Sequence, residues 1–118
     1  MLSPKRIFNA ASYSIKGFKS AWQTEAAFRD NVVLVFVFQA VCIYARPESA
    51  LWLFCVACNA LLIICELFNT GLEYLADHAS LDQHDLLGRA KDVGSAAVMT
   101  ALLLNLAAFG CVVSQLFS

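Results

Sequence analysis

Apolar and polar positions divide this chain into four stretches. In the first, Ile7, Phe8, Ala11, Ile15, Phe18, Trp22 and Ala26 fall within an arc of about 100° on a helix. Lys5, Asn9, Ser12, Lys16, Lys19 and Gln23 face the other way. That pattern predicts a helix over 1–28 lying flat in a membrane interface. Three apolar runs follow. Val32 to Ala45 is short against a span of about 20 residues, and Ala26, Ala27 and Phe28 lengthen it. Ala50 to about Asp77 is the second run. Val93 to Phe117 is the third and carries no charge. Arg46-Pro47-Glu48-Ser49 reads as a tight turn between the first two runs, with Pro47 suited to a first helical turn. His78 to Arg89 is the only long polar connection. The expected fold is an all-α membrane protein in one domain over 1–118: a surface helix, then transmembrane helices over about 29–46, 49–77 and 90–117.

The second run carries a polar stripe. Glu66, Asn69, Glu73 and Asp77 follow at i, i+3, i+7 and i+11 in ICELFNTGLEYLAD. At about 100° per residue they share an arc of roughly 80°. A helix end emerging into water accounts for Asp77 and for Glu73. It does not account for Glu66, about three turns or roughly 16 Å further in. Ionisable groups at membrane depth are costly and mark functional sites. Glu25 is a second anomaly: its angle matches Ile7 and Phe18, which places a carboxylate on the apolar face near the first span.

Composition agrees with the pattern. Of 118 residues 60% are hydrophobic and 14% charged, against about 25% charged in a soluble domain. The net charge of −1 argues against nucleic acid as a partner. The five cysteines all lie in apolar runs, where Cys behaves as a small hydrophobe; Cys55-x-x-Cys58 lacks the second ligand pair of a metal site. Lys5, Arg6, Lys16, Lys19, Arg29, Arg89 and Lys91 lie on one side of the expected topology and only Arg46 on the other. The N-terminus and the second loop are therefore expected in the cytoplasm, on the side of the carboxylates. Gly17, Gly71, Gly88 and Gly94 are isolated and are expected to allow close helix packing.

The polar set is one of hard oxygen ligands, suited to Mg²⁺ held by one or two carboxylates together with substrate phosphates. Lys91 could neutralise charge on a transferring phosphate, and a buried Glu could act as general base on a hydroxyl. No Walker A sequence or kinase Gly-rich loop is present. The residues alone support a membrane site for a metal and an anion. An intramembrane proton or cation pathway fits them almost as well.

Three segments narrow this choice: AASYSIKGFKSAWQTEAAFR (Ala10 to Arg29), CELFNTGLEYLAD (Cys65 to Asp77) and GRAKDVGSAAV (Gly88 to Val98). In order and spacing they resemble the small integral-membrane diacylglycerol kinases of Gram-negative bacteria. The resemblance implies a homotrimer with an amphipathic surface helix and three transmembrane helices per subunit. It implies phosphorylation of the free hydroxyl of diacylglycerol by Mg-ATP, giving phosphatidic acid, at sites shared between subunits in the inner membrane. By position, Glu66 corresponds to the general base, and Glu25 and Glu73 to the metal-holding carboxylates. Arg6, Tyr13, Asp82, Gln83, His84, Lys91 and Asp92 correspond to nucleotide contacts. Ser14, Lys19, Trp22 and Ser95 correspond to lipid contacts, with Asn69 beside the base.

The chain departs from the family pattern at Ile15, at Asp82-Gln83, and at Phe68 and Thr70-Gly71. Undecaprenol kinase, which shares the Glu-x-x-Asn-x-x-x-Glu and Ala-Lys-Asp elements, is the alternative reading. A non-enzymatic transporter subunit is a remote one, and it gives no reason for Lys91-Asp92 at the mouth of the third span.

Overall fold

Ser3 starts the first helix. Its extended backbone (φ −132°, ψ 144°) lets its hydroxyl accept the Arg6 N–H at 3.2 Å, and Pro4 opens the first turn, where its missing N–H costs nothing. The computed structural model describes residues 3–79 and 85–118. It contains four helices among them: α1 (Pro4–Thr24), α2 (Ala26–Ala45), α3 (Ser49–Ala79) and α4 (Asp85–Leu116).

The first helix stops at Thr24 rather than running to residue 28. Glu25 adopts φ −117° and ψ 108° while its N–H still reaches the Ala21 carbonyl at 2.9 Å. Arg29, one turn into α2, donates from its guanidinium to the Trp22 carbonyl at 2.6 Å and so satisfies the end of α1 with a positive charge. Glu25 is thus the single residue between two helices. Its position comes from this break and not from the azimuth it would have had on a continued α1.

At the other end of α2, Arg46 closes the helix in the left-handed region (φ 48°, ψ 60°), its N–H bonded to the Cys42 carbonyl at 2.8 Å. It is the one non-glycine residue with positive φ among those described. Pro47 is buried and α3 begins at Ser49, as the tight turn required. The polar connection expected over His78 to Arg89 is shorter than that, because α3 continues to Ala79 and α4 starts at Asp85.

The helices of α2, α3 and α4, at 20, 31 and 32 residues, are each long and apolar enough to cross a membrane. They pack mainly through α3 against α4, with α2 alongside. Phe38, Cys42, Cys55, Cys58, Ala108 and Val112 form one buried cluster, and Phe38 meets Phe109 edge to face at 5.2 Å between centroids. Three of the cysteines therefore act as core apolar residues, and all five are free thiols. Large apolar side chains such as Phe36, Leu53, Phe68 and Leu103 remain exposed.

Carboxamides bind the three long helices together in a way the apolar pattern did not announce. The Trp52 indole donates to Gln39 Oε1 at 3.0 Å, and Gln39 donates to Asn59 Oδ1 at 2.6 Å. Asn59 donates to Asn105 Oδ1 at 2.7 Å, and Asn105 donates to the Cys58 and Ala101 carbonyls at 2.8 Å each. With Asn59 and Asn105 buried, the chain of bonds answers the requirement that polar groups inside a membrane bundle find partners. Close approach through glycine is confined to one position. A Cβ at Gly94 would collide with the Asn69 amide oxygen and lie 3.3 Å from Leu72, whereas Gly17, Gly71 and Gly88 have open space around them.

Candidate active site

The length of α3 sets the depth of its polar stripe. At 1.5 Å per residue its 31 residues extend about 46 Å, well beyond a hydrocarbon core of about 30 Å. Counted from the turn at Ser49, about 20 residues fill that core and end near Asn69. Glu66 then lies roughly one turn below the boundary, while Glu73 and Asp77 stand beyond it. Exposure follows the same gradient: Glu66 is 3% exposed, Asn69 and Glu73 are half-buried, and Asp77 is exposed.

Glu66 Oε1 accepts a hydrogen bond from the Asn31 amide of α2 at 2.6 Å. Asn31 is a site residue that sequence reasoning missed. A lone Asn at the edge of an apolar run carries no signal of a partner 35 positions away. Asn69, one turn further along α3, has its side-chain oxygen buried beside Gly94 with no hydrogen-bond partner among the described residues. Such an orphaned acceptor marks a place where a donor from outside the chain would be welcome.

Glu25, at the α1–α2 junction, and Glu73 of α3 come together as neighbouring carboxyl groups. Burial pushes the Glu25 carboxyl above its ordinary range, and the neighbouring charges of Glu73 and Asp77 push the same way against the opposing pull of Arg29. No third His, Cys, Asp or Glu among the described residues joins them as a metal cluster. Two carboxylates with room for further oxygens fit Mg²⁺, which completes its shell with water and substrate phosphates, and do not fit a closed structural zinc site.

The last turn of α1 is held over this region by Tyr74 of α3, whose hydroxyl bonds the side chains of Ser20 and Thr24. Tyr74 too lay outside the sequence-derived set. On α4, Lys91 Nζ pairs with Asp77 at 2.6 Å, so the lysine stands at the outer end of the stripe. Asp92 and Ser95 are exposed. Of the remaining expected residues, Tyr13 lies exposed on α1 with the Lys16 ammonium 5.7 Å from its ring, and Ser14 donates to the Ala10 carbonyl at 2.9 Å. Arg6 lies in the first turn of α1. Asp82, Gln83 and His84 lie outside the described residues.

Beneath α1 an open apolar groove of about 400 Å³ is lined by Phe18, Lys19, Trp22, Phe28, Val32 and Ile63. Val32 adjoins Asn31 in sequence, and Ile63 lies one turn before Glu66 on α3. The groove therefore runs from α1 to α3 at Ile63, one turn short of Glu66.

Comparison with known proteins places this arrangement. A family model described as prokaryotic diacylglycerol kinase matches residues 12–113. The chain is 36% identical over 99 residues to the diacylglycerol kinase of Escherichia coli K12, covering 84% of this chain and 81% of that protein. It is 44% identical over 101 residues to the diacylglycerol kinase of Pseudomonas aeruginosa, covering 83% and 80%. It is 33% identical over 99 residues to that of Helicobacter pylori, covering 84% and 77%. A match of this extent, over a bundle that gathers Glu25, Glu66 and Glu73 near one another, means that the chain belongs to the prokaryotic diacylglycerol kinase family and is a lipid kinase.

Proposed function

We propose that the protein transfers the γ-phosphoryl group of Mg-ATP to the free hydroxyl of diacylglycerol, giving phosphatidic acid, at the cytoplasmic face of a bacterial inner membrane. The observation that carries this reading is the burial of Glu66 on a helix long and apolar enough to cross a membrane. A carboxylate about one turn below the hydrocarbon boundary stands where the glycerol hydroxyl of a membrane lipid resides, and a water-soluble substrate would not need it there. Glu66 is the general base. It takes the hydroxyl proton as the oxygen attacks the γ-phosphorus and the bond to the β-phosphate bridging oxygen breaks.

Glu25 and Glu73 would hold a magnesium ion, which would neutralise charge on the phosphates. Lys91 leaves or shares Asp77 to meet the transferring group, with Asp92 beside it. Arg6 and Tyr13 of α1 and the segment Asp82, Gln83 and His84 contribute to the nucleotide pocket. α1 lies on the membrane surface as an amphipathic helix. The groove below it takes the lipid, with Lys19 and Trp22 at its mouth and Ser14, Asn69 and Ser95 as further lipid contacts. Seven of the eight basic residues lie on the carboxylate side, which supports a cytoplasmic N-terminus and site. The exposed apolar side chains and the part-open site support a homotrimer in which neighbouring subunits complete each site.

The test is phosphoryl transfer by the purified protein in mixed micelles, with [γ-³²P]ATP and Mg²⁺ offered with diacylglycerol, with undecaprenol or with no lipid alcohol. Label is expected in phosphatidic acid, and Glu66→Gln is expected to lower the rate by at least about 10²-fold with Mg-ATP binding retained. Preferential labelling of undecaprenol would reassign the substrate to the polyprenol class. No labelled lipid from any alcohol would overturn the reading.

A further inference from the structure

Among the described residues, the one polar contact that Glu66 makes with another helix comes from a residue that the proposed chemistry does not use. Asn31 lies six residues into α2 from the Glu25 junction, about 9 Å along the helix axis. Its amide donates across to Glu66 Oε1 at 2.6 Å, and Glu66 is 3% exposed. A carboxylate has two oxygens and accepts only, so a single neutral donor occupies one oxygen and leaves the other open.

The charged groups facing Glu66 are Glu73 of α3 itself and Glu25 at the α1–α2 junction, both of its own sign. The lysine of α4, Lys91, pairs with Asp77. A buried carboxylate with like charges around it has nothing else among the described contacts to fix its rotation. An amide does this without adding charge, where an ammonium would fix the carboxylate and also weaken it as a base.

We infer that Asn31 is a positioning residue of the transfer reaction: its amide holds Glu66 Oε1 and so presents the other carboxylate oxygen to the lipid hydroxyl. The inference rests on Glu66 acting as the base. Asn31 itself exchanges no proton; the hydroxyl proton passes to the open oxygen of Glu66, and the amide keeps its hydrogens throughout.

The experiment compares Asn31→Leu, Asn31→Gln and Asn31→Asp in the full-length protein, with Glu66→Gln measured alongside, in micelles with Mg-ATP and diacylglycerol. Asn31→Leu is expected to lower kcat by about 10- to 100-fold with the KM for Mg-ATP within about twofold, because a misaimed base costs turnover and not nucleotide binding. Asn31→Gln keeps the donor and is expected to recover part of kcat. Asn31→Asp places a third carboxylate on Glu66, and the acid limb of its kcat–pH profile is expected to move to higher pH. The double variant Asn31→Leu/Glu66→Gln is expected to be no slower than Glu66→Gln alone.

A purely structural Asn31 would lower the yield or the melting temperature of the variants and leave kcat per folded protein and the acid limb in place. That result overturns the inference. If Asn31→Leu does not fold, Asn31→Asp decides the matter: wild-type kcat with an unmoved acid limb sinks it. Near-wild-type turnover in Glu66→Gln removes the base reading itself. An impaired Glu66→Gln beside an unimpaired Asn31→Leu removes only the role of Asn31.

Discussion

Substituting Gly94 by Ala separates the stability of the bundle from the geometry of its site. The new methyl collides with the Asn69 amide oxygen and approaches Leu72 Cδ1 to 3.3 Å. The obstructing atom is the end of a rotatable side chain, so the helices need not part; the amide must withdraw by on the order of 1 Å to reach an ordinary contact. Two opposed stability terms follow. Replacing a mid-helix glycine favours the fold by roughly 0.5–1 kcal/mol, and crowding a packed contact costs about 1–3 kcal/mol. The net change is a destabilisation of no more than about 2.5 kcal/mol.

Catalysis has no such offset. Asn69 stands one turn beyond the base, and a 1 Å misplacement in a site costs on the order of 10²-fold in rate. Gly94→Ala is therefore expected to fold, to melt within several degrees of wild type, and to turn over about 100-fold more slowly. The assay is ATP consumption coupled to diacylglycerol in micelles, with thermal unfolding followed on the same preparation. In an Asn69→Ala background the collision is gone, and adding Gly94→Ala should then cost little more. Full turnover in Gly94→Ala would refute the placement of Asn69 in the site. A collapse in stability would show that Gly94 separates backbones and not an amide from a methyl.

Four further outcomes are expected. Glu25→Gln and Glu73→Gln should each weaken Mg-dependent ATP binding, with the double variant well below the sum of the two losses in a Mg-ATP titration; additive losses would place the carboxylates in separate sites. Because the folded Glu25 carboxyl titrates above its ordinary 4.5, its protonated form is the one the fold favours. Its contribution is complete below that pH and is lost as pH rises through the raised value, so metal-free protein should lose melting temperature over this range and Glu25→Gln should flatten the slope. Asn105→Leu strands the Asn59 donor and removes two bonds to backbone carbonyls, and should cost about 1–3 kcal/mol in unfolding measurements with kcat of the folded fraction unchanged. Inactive Glu66→Gln and Lys91→Ala chains, refolded together, should regain part of their activity in hybrid trimers for this or another pairing among the Glu25, Glu66, Glu73 and Lys91 variants; crosslinked trimers without rescue in any pairing would confine each site to one chain.

Long-range periodicity made the helices and the polar stripe of α3 readable, because one helix face is a local property of sequence. Glu25 was readable as an anomaly for a reason that does not hold in the fold. Its placement depends on a helix break that the run SAWQTEAAF, rich in helix formers, does not announce. Asn31, Gln39, Asn59 and Asn105 illustrate what remained hidden. Each is a single carboxamide in an apolar setting, and its meaning lies in a partner on another helix. One signal was available: Gln39, Asn59 and Asn105 each fall within a different span, and polar side chains inside a membrane bundle need one another. Glycine was the reverse case, since four looked alike in sequence and only Gly94 stands against a neighbour.

The one-residue joint at Glu25 makes the enzyme sensitive to length at a single point. Tyr74 fastens the end of α1 on one side of the joint, and Arg29 grips it from the other. Between these two fastenings there is no slack. One residue inserted beside Glu25 would move its carboxylate along the chain by up to about 3.5 Å and turn it away from Glu73. An insertion before the Ser3 cap leaves the spacing from Ser20 to Arg29 unchanged. Engineered insertions therefore belong away from the α1–α2 junction. The junction of α1 and α2 should keep its count of residues even where its composition drifts.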